Sequence, residues 1–157
     1  MIALDEMGRR AVAAKYVLQT LTETEKNQAL LQAADGLQKD AAQILAANEK
    51  DMAMGRKNGM HTGLLDRLRL DKGRIDAMAE GLKQVAALPD PVGRVLSQWE
   101  RPNGLRMKKV SVPLGVVGII YESRPNVTAD AFALCFKAGN GVILKGGSDA
   151  IHSNMAI

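Results

Sequence analysis

Aromatic residues are scarce in this chain of 157 residues, at 3% of the total. Two Tyr, two Phe and one Trp are too few for the ring platforms on which nucleic-acid binders stack bases. The net charge of +4 fits an anionic substrate or cofactor as well as it fits DNA. Because Lys and Arg form no clustered basic face either, we expect no nucleic-acid partner.

Cysteine is almost absent, since Cys135 is the single one. One thiol excludes an internal disulfide framework and a paired-cysteine metal motif, and it points to a reducing compartment. His61 and His152 lie far apart without ligand-like companions, so we expect no metal site. Cys135 follows apolar residues in a predicted helix and is predicted to be a buried, inert thiol.

Long apolar runs are missing, and none approaches the roughly 18 residues of a membrane helix. The segment 1–6 turns acidic too early for a signal peptide, so we expect a cytoplasmic protein with no membrane partner. The content of 46% hydrophobic and 24% charged residues is that of an ordinary folded protein, and the length corresponds to one domain.

The first half of the chain has helical periodicity. Apolar spacings of three and four residues predict four helices. The first spans 4–21, and the second begins at a capping box formed by Thr22 and Glu25. The third spans about 40–57 and stops at Asn58-Gly59, and the fourth spans about 71–87. The apolar stripes of these helices are predicted to pack in the core. The stripe of the first helix comprises Leu4, Met7, Ala11, Ala14, Leu18 and Leu21.

Two extended segments follow, over 95–100 and 105–112. The Asn103-Gly104 pair between them predicts a β-hairpin. Because the apolar phase changes within the second strand, we predict a bulge near Lys108-Lys109. From the residues alone, this charged hairpin with an exposed Trp99 is either a surface ornament or an arm that contacts another subunit.

The last third predicts a strand, a helix and a strand, over 116–120, 127–138 and 141–144. Apolar runs without alternation favour strands buried on both faces of a parallel sheet, so the fold class is α/β. The helix carries a predicted core stripe at Val127, Ala131, Leu134 and Ala138.

Ligands bind beyond the carboxyl ends of parallel strands, which directs attention to the loops 121–126 and 145–148. The second loop offers the Lys145 cation, two glycines and the Ser148 hydroxyl at a helix start, a combination suited to a phosphate-bearing ligand. The lysine precedes the glycines, so the loop is not a P-loop. A tight strand-to-helix turn explains the same residues equally well.

Two segments, 121–128 and 137–147, closely resemble the gamma-glutamyl phosphate reductase family, a branch of the aldehyde dehydrogenase superfamily. The segments 47–51, 64–68 and 88–93 are similar to that family too, so the resemblance covers essentially the whole chain. It implies an aldehyde dehydrogenase-like α/β fold, in which N-terminal helices and a β-hairpin arm precede the start of a Rossmann-like parallel sheet.

The resemblance also implies a division of the chain. Residues 1–93 correspond to the helical part of the cofactor-binding domain, 94–113 to a hairpin oligomerisation arm, and 114–157 to the first βαβ unit. The family's nucleophilic cysteine lies in a downstream catalytic domain that this chain lacks, and Cys135 does not match its motif. We therefore expect an incomplete sheet and a fragment that is inactive alone.

The activity implied by the resemblance is NADPH-dependent reduction of L-glutamyl 5-phosphate to L-glutamate 5-semialdehyde with release of phosphate, in proline biosynthesis. A cysteine thiolate displaces phosphate to give a thioester, which hydride transfer then reduces. The implied partners are other copies of the chain, through the hairpin 94–113, and a glutamate kinase. The alternative reading is a non-catalytic oligomerisation or binding module, and a cysteine motif downstream of Ile157 would distinguish the two.

The resemblance assigns site residues as well. Asn126 corresponds to the asparagine that stabilises the oxyanion, and the weaker assignment of Arg124 is to the phosphate or carboxylate of the substrate. Cofactor contacts are implied for the backbone of Glu122 and Ser123, for the adenosine-ribose lysine Lys145, and for Gly146 and Gly147.

Ser148 bears on the choice of cofactor. It stands where relatives that prefer NAD often have a glutamate that takes the ribose hydroxyls. A carboxylate there repels the 2'-phosphate of NADP, whereas a serine does not, so the resemblance implies NADPH.

Overall fold

A computed structural model describes residues 3–157, which form helices and two small sheets. The elements in chain order are α1 Leu4–Leu18, α2 Glu23–Lys39, α3 Ala41–Lys57, α4 Thr62–Leu68, α5 Lys72–Ala87, β1 Val95–Glu100, β2 Arg106–Val110, β3 Val116–Ile120, α6 Asn126–Lys137, β4 Gly141–Lys145, a 3₁₀ turn Ser148–Ala150 and α7 Ile151–Ala156.

Local capping sets the helix boundaries. The predicted capping box is confirmed: Thr22 Oγ1 accepts from the Glu25 amide at 3.3 Å, and the Thr22 amide donates to the Glu25 carboxylate at 2.7 Å. Gly59, at φ 70°, follows the end of α3 as predicted. The sequence did not predict α4, because a helix of seven residues is too short to show a periodic stripe. Its start is fixed by His61, whose Nδ1 accepts from the Gly63 amide at 3.2 Å.

One apolar core joins the helical part to the βαβ unit. It lies between α2, α3, α5 and α6, and its larger members are Leu30, Leu37, Ile44, Ile75, Met78 and Leu82. The predicted helix α6 is confirmed, but its predicted stripe is wrong in part. Ala129 and Ala133 are buried, whereas Leu134 is 57% exposed. Apolar residues surround α6 on most sides, so periodicity did not determine which face meets the core.

The expectation that the stripe of α1 packs in the core is wrong. No residue of this helix is buried, Leu4 is 77% exposed, and Leu21 follows the end of the helix. α1 lies against β3 and β4, so closely that a Cβ on Gly141 would be 3.1 Å from the Ala11 carbonyl oxygen. Two strands offer too little surface to cover the apolar side of a helix of 15 residues.

The predicted hairpin is confirmed, with an antiparallel ladder between β1 and β2. Its turn differs from a two-residue Asn-Gly turn, because Asn103 keeps a negative φ and only Gly104 adopts the left-handed region, at 82°. The predicted bulge lies in the other strand: Val95 pairs with Val110 and Ser97 with Lys109, which leaves Leu96 as the extra residue. Trp99 is exposed, as expected.

Strands β3 and β4 pair in parallel, as predicted. The pairing begins before the strands themselves, where the buried Asn140 side chain accepts from the Gly115 amide at 2.8 Å. The prediction that both faces of these strands are buried is wrong, since Ile120 is 81% exposed. A two-stranded sheet has no neighbouring strands to carry covering helices. Within residues 3–157, no helix is both long and apolar enough to cross a membrane.

Candidate active site

The loops that follow β3 and β4 meet at a cleft of about 490 Å³, which we call the strand-end cleft. The parallel pairing explains this, because it brings the carboxyl ends of both strands to one edge of the sheet. The third side of the cleft is α4, through Leu64 and Arg67. Five predicted cofactor residues line the strand-end cleft: Glu122, Ser123, Lys145, Gly147 and Ser148.

The two glycines of the Lys145 loop allow the loops to come this close. A Cβ on Gly146 would lie 2.1 Å from Nδ2 of Asn154 and 3.1 Å from the Tyr121 ring. A Cβ on Gly147 would lie 3.0 Å from Oγ of Ser123. Neither glycine has a positive φ. Close approach of side chains and backbone, rather than a tight turn, therefore explains both glycines.

The strand-end cleft contains three cations, Arg67, Arg124 and Lys145, and two carboxylates, Glu122 and Asp149. The Ser123 hydroxyl donates to Asp149 at 3.1 Å, which occupies that carboxylate. The cations outnumber the carboxylates, so the cleft suits an anionic ligand. Asp149 is a site residue that the sequence did not single out.

A second cleft, of about 400 Å³, lies beside Asn126 between α4, α5 and the start of α6; we call it the Asn126 cleft. Asn126 is exposed at the first position of α6, and its Nδ2 donates to Asp130 at 3.2 Å. Arg67 and Arg124 line this cleft as well as the strand-end cleft. The two clefts therefore meet at these two arginines.

Comparisons with known proteins agree over almost the whole chain. The gamma-glutamyl phosphate reductase of Brucella anthropi is 57% identical over 152 residues, and that of Syntrophomonas wolfei is 54% identical over 154 residues. The crystal structure of gamma-glutamyl phosphate reductase from Thermotoga maritima covers 98% of the chain at 44% identity, with a TM-score of 0.96. The resemblance to gamma-glutamyl phosphate reductases is confirmed.

The matched part is limited. The chain spans 36% of the length of the Brucella anthropi gamma-glutamyl phosphate reductase and 37% of the Thermotoga maritima chain. The gamma-glutamyl phosphate reductase structure from Saccharomyces cerevisiae agrees, with a TM-score of 0.88 at 35% identity and 39% of that chain covered. These structures confirm the α/β fold class and the incomplete sheet. No protein-family model matches the sequence.

Behind the clefts of this reductase-like chain, a hydrogen-bonded series fixes the loop after β3. The Thr128 hydroxyl donates to Oδ1 of Asn154 at 3.2 Å, and the Tyr121 hydroxyl lies 2.7 Å from Thr128 Oγ1. Since Thr128 uses its one proton on Asn154, Tyr121 is the donor to Thr128. The series joins the end of β3 to α6 and α7, and sequence reasoning missed it because its members lie up to 33 positions apart.

Cys135 lies on α6 and lines neither cleft. Cys135 was predicted to be a buried thiol, whereas the structure leaves it half-buried. Burial nevertheless raises the pKa of the Cys135 thiol above its ordinary value. The thiol therefore stays protonated at neutral pH, which makes it a poor nucleophile and agrees with the departure from the reductase family's cysteine motif.

Proposed function

We propose that the protein containing this chain reduces L-glutamyl 5-phosphate to L-glutamate 5-semialdehyde with NADPH and releases phosphate, in proline biosynthesis. One observation carries this proposal. The two loops with the predicted cofactor residues line the strand-end cleft, and this cleft meets the Asn126 cleft at Arg67 and Arg124. The relatives also support it, because they are named gamma-glutamyl phosphate reductase and are 57% and 54% identical in sequence to this chain.

NADPH is the proposed cofactor, in the strand-end cleft. Lys145 holds the adenosine ribose, Gly146 and Gly147 bring the loop backbone close, and the backbone of Glu122 and Ser123 lines the site. The fit rests on the Lys145 cation at the end of β4 and on the serine at 148, which carries no charge to repel a 2'-phosphate. When bound, the cofactor supplies the hydride.

Asn126 is proposed to stabilise the oxyanion. Its amide nitrogen carries two N–H groups, and the Asp130 carboxylate accepts from one of them. The other remains for the charge that develops on the substrate carbonyl oxygen. The Asp130 bond also fixes the orientation of the amide, since Asp130 lies four residues further along the same helix, on the same face.

The nucleophile of this proposal lies outside residues 1–157, in a separate catalytic domain. Its thiolate forms a C–S bond to the acyl carbon while the C–O bond to phosphate breaks, and the electron pair leaves with the phosphate oxygen. Hydride transfer to the thioester then releases the aldehyde and restores the thiolate. The 157 residues supply the cofactor and oxyanion contacts to this reaction.

The other assignments are proposals at the same level. Residues 1–93 and 114–157 belong to the cofactor-binding domain, and the hairpin 94–113 is an oligomerisation arm of a homo-oligomer. The apolar side chains exposed on both strands support the arm; Leu96 of β1 and Val110 of β2 are 58% and 44% exposed. We propose a cytoplasmic protein whose unstable substrate is handed over by a glutamate kinase.

The deciding experiment is phosphate-dependent oxidation of glutamate semialdehyde with NADP. It compares the 157-residue chain with the protein extended to the length of its relatives. We expect turnover only in the extended protein. Turnover by the 157-residue chain would show that the nucleophile lies within it, and an inactive extended protein would reject the function and favour a non-catalytic module.

A further inference from the structure

Arg67 and Arg124 are the side chains that the two clefts share, and both are exposed. They come from different elements, α4 and the loop after β3. Neither guanidinium has an ion-pair or hydrogen-bond partner in the part of the chain that the structure describes, residues 3–157. Two cations thus line the junction of the clefts without a direct ion pair among the described residues.

The neighbouring arginines behave differently. Arg74 donates to the Arg69 carbonyl at 2.7 Å and to the Asp66 carboxylate at 3.0 Å, and Arg69 pairs with Asp66 at 3.8 Å. These two arginines hold the end of α4, and both of their charges are paired with the Asp66 carboxylate. Arg67 and Arg124 are therefore distinguished from them by position and by their lack of partners.

The carboxylates around the junction are mostly engaged. Asp66 is occupied by Arg74, Asp130 by Asn126 and Asp149 by Ser123. Glu122 is the one cleft carboxylate for which residues 3–157 provide no such contact, and two guanidiniums outnumber it. The junction therefore offers two forked guanidinium donors that no direct ion pair engages, and such donors are suited to a doubly charged oxyanion.

We propose that Arg67 and Arg124 together bind the phosphate group of the acyl phosphate substrate, an inference that rests on the proposed function. The acyl carbon has to lie where the cofactor cleft meets Asn126, and the phosphate is one oxygen atom from that carbon. The carboxylate at the other end of a glutamyl group is separated from the acyl carbon by a chain of methylene and methine carbons. The junction of the clefts is therefore the place for the phosphate.

The pair contributes to the chemistry through charge. When the C–O bond breaks, its electron pair stays on the phosphate oxygen, and the negative charge on the leaving group increases. Two guanidiniums at that group stabilise the increase more than they stabilise the bound substrate. In the reverse direction the same pair holds inorganic phosphate for attack on the thioester.

The test uses the protein extended to the length of its relatives, assayed in the direction that consumes semialdehyde, inorganic phosphate and NADP. In this direction phosphate is a separate substrate with its own KM. The variants are Arg67→Gln, Arg67→Lys, Arg124→Gln and Arg124→Lys, and the matched control is Arg56→Gln on α3, whose guanidinium pairs with Glu49 on the surface.

We expect each glutamine variant to raise the KM for phosphate by about tenfold or more, and each lysine variant to raise it less. The KM for NADP and for semialdehyde should stay within about twofold. When arsenate is offered in place of phosphate, the KM for arsenate should rise in parallel. Calorimetric titration with inorganic phosphate gives a readout without turnover, in which the glutamine variants should bind more weakly than the control.

The contrary outcomes are distinct. An unchanged KM for phosphate overturns the inference. An increase only in the KM for semialdehyde also overturns it, because the pair would then bind the substrate carboxylate. An increase only in the KM for NADP overturns it as well, because the pair would then bind the cofactor. Failure of the proposed function looks different, because the unsubstituted extended protein would then have no activity. Both arginines are exposed, so their replacement does not endanger the fold.

Discussion

Asp51 of α3 accepts hydrogen bonds from both the amide and the hydroxyl of Ser153 in α7, at 2.7 and 2.6 Å. Both residues are buried. The His152 amide adds a bond at 3.2 Å, and its Nδ1 lies 2.7 Å from the same carboxylate. A single buried carboxylate thus holds the first turn of α7, the helix that carries Asn154 behind the strand-end cleft.

Replacing Asp51 by Asn should lower the free energy of unfolding by about 3 kcal/mol. The variant loses charge-assisted bonds and forces an amide N–H₂ against the donors of Ser153. Urea unfolding measures the loss. Glu49→Gln, which breaks an exposed pair with Arg56 and lies two residues before Asp51 in α3, should cost less than about 0.5 kcal/mol. Equal losses for the two variants would contradict the role given to Asp51.

A second prediction concerns pH and the buried Lys26, which is 2% exposed and forms an ion pair with Asp90. Burial acts to raise the pKa of the Asp90 carboxyl, but the hydrogen bonds from Lys26 and the Val92 amide and the charges of Lys26 and Lys137 prevail, so the pKa lies below its ordinary value. A lowered pKa stabilises the folded state above the ordinary pKa, and this contribution disappears as the pH falls through the folded-state pKa.

Asp90→Asn should therefore destabilise the chain by about 3 kcal/mol at pH 7, because it leaves the Lys26 ammonium buried without its partner. The difference from the unsubstituted chain should shrink as the pH falls through the lowered folded-state pKa of the Asp90 carboxyl, because Asp90 is then protonated in both states. Urea unfolding at pH 7 and at an acidic pH below that pKa checks this. Asp35→Asn, an exposed carboxylate on α2, serves as the control and should differ by less than about 0.5 kcal/mol at either pH.

A third prediction tests the contact of the Lys145 loop with Asn154 of α7. Gly146→Ala would place a Cβ 2.1 Å from Nδ2 of Asn154, so Asn154 has to move and its bond with Thr128 is lost. In the extended protein we expect the KM for NADP to rise about tenfold or more. Gly36→Ala in α2 is the matched control, because its Cβ meets nothing within 4 Å and the KM should be unchanged. If Gly146→Ala binds NADP normally, the close approach does not shape the site.

A fourth prediction concerns cofactor choice. Ser148→Glu in the extended protein should shift the preference from NADPH toward NADH, because a carboxylate at this position repels the 2'-phosphate and accepts from ribose hydroxyls. The ratio of kcat/KM for the two cofactors measures the shift. Ser148→Ala removes the hydroxyl without adding charge and should keep the preference for NADPH. An unchanged ratio in Ser148→Glu would remove the argument that the residue at 148 selects the cofactor.

Elements that local chemistry determines were predictable from the sequence. The capping box at Thr22, the stop at Gly59 and both core strands needed only neighbouring residues. Features set by tertiary contacts were not predictable: α4 is too short to be periodic, and the extra residue of the hairpin, Leu96, depends on strand pairing.

The candidate site divides in the same way. The loop after β4 carries a local signal in Lys145 and its glycines, so it was predictable. Arg67 was not predictable as a site residue, because its position beside Arg124 depends on where α4 packs. A charged residue on a short helix carries no local mark that separates a ligand contact from an ordinary surface position.

The Asn140 side chain bonds to the Gly115 amide, and the Gly141 amide donates to the Gly115 carbonyl at 2.9 Å. These bonds set the register in which Ile120 pairs with Lys145 at the far end of the ladder. A slip of one residue would turn Lys145 to the opposite face of the sheet. The face on which this lysine stands is therefore decided five residues upstream, by a side-chain amide that lines neither cleft.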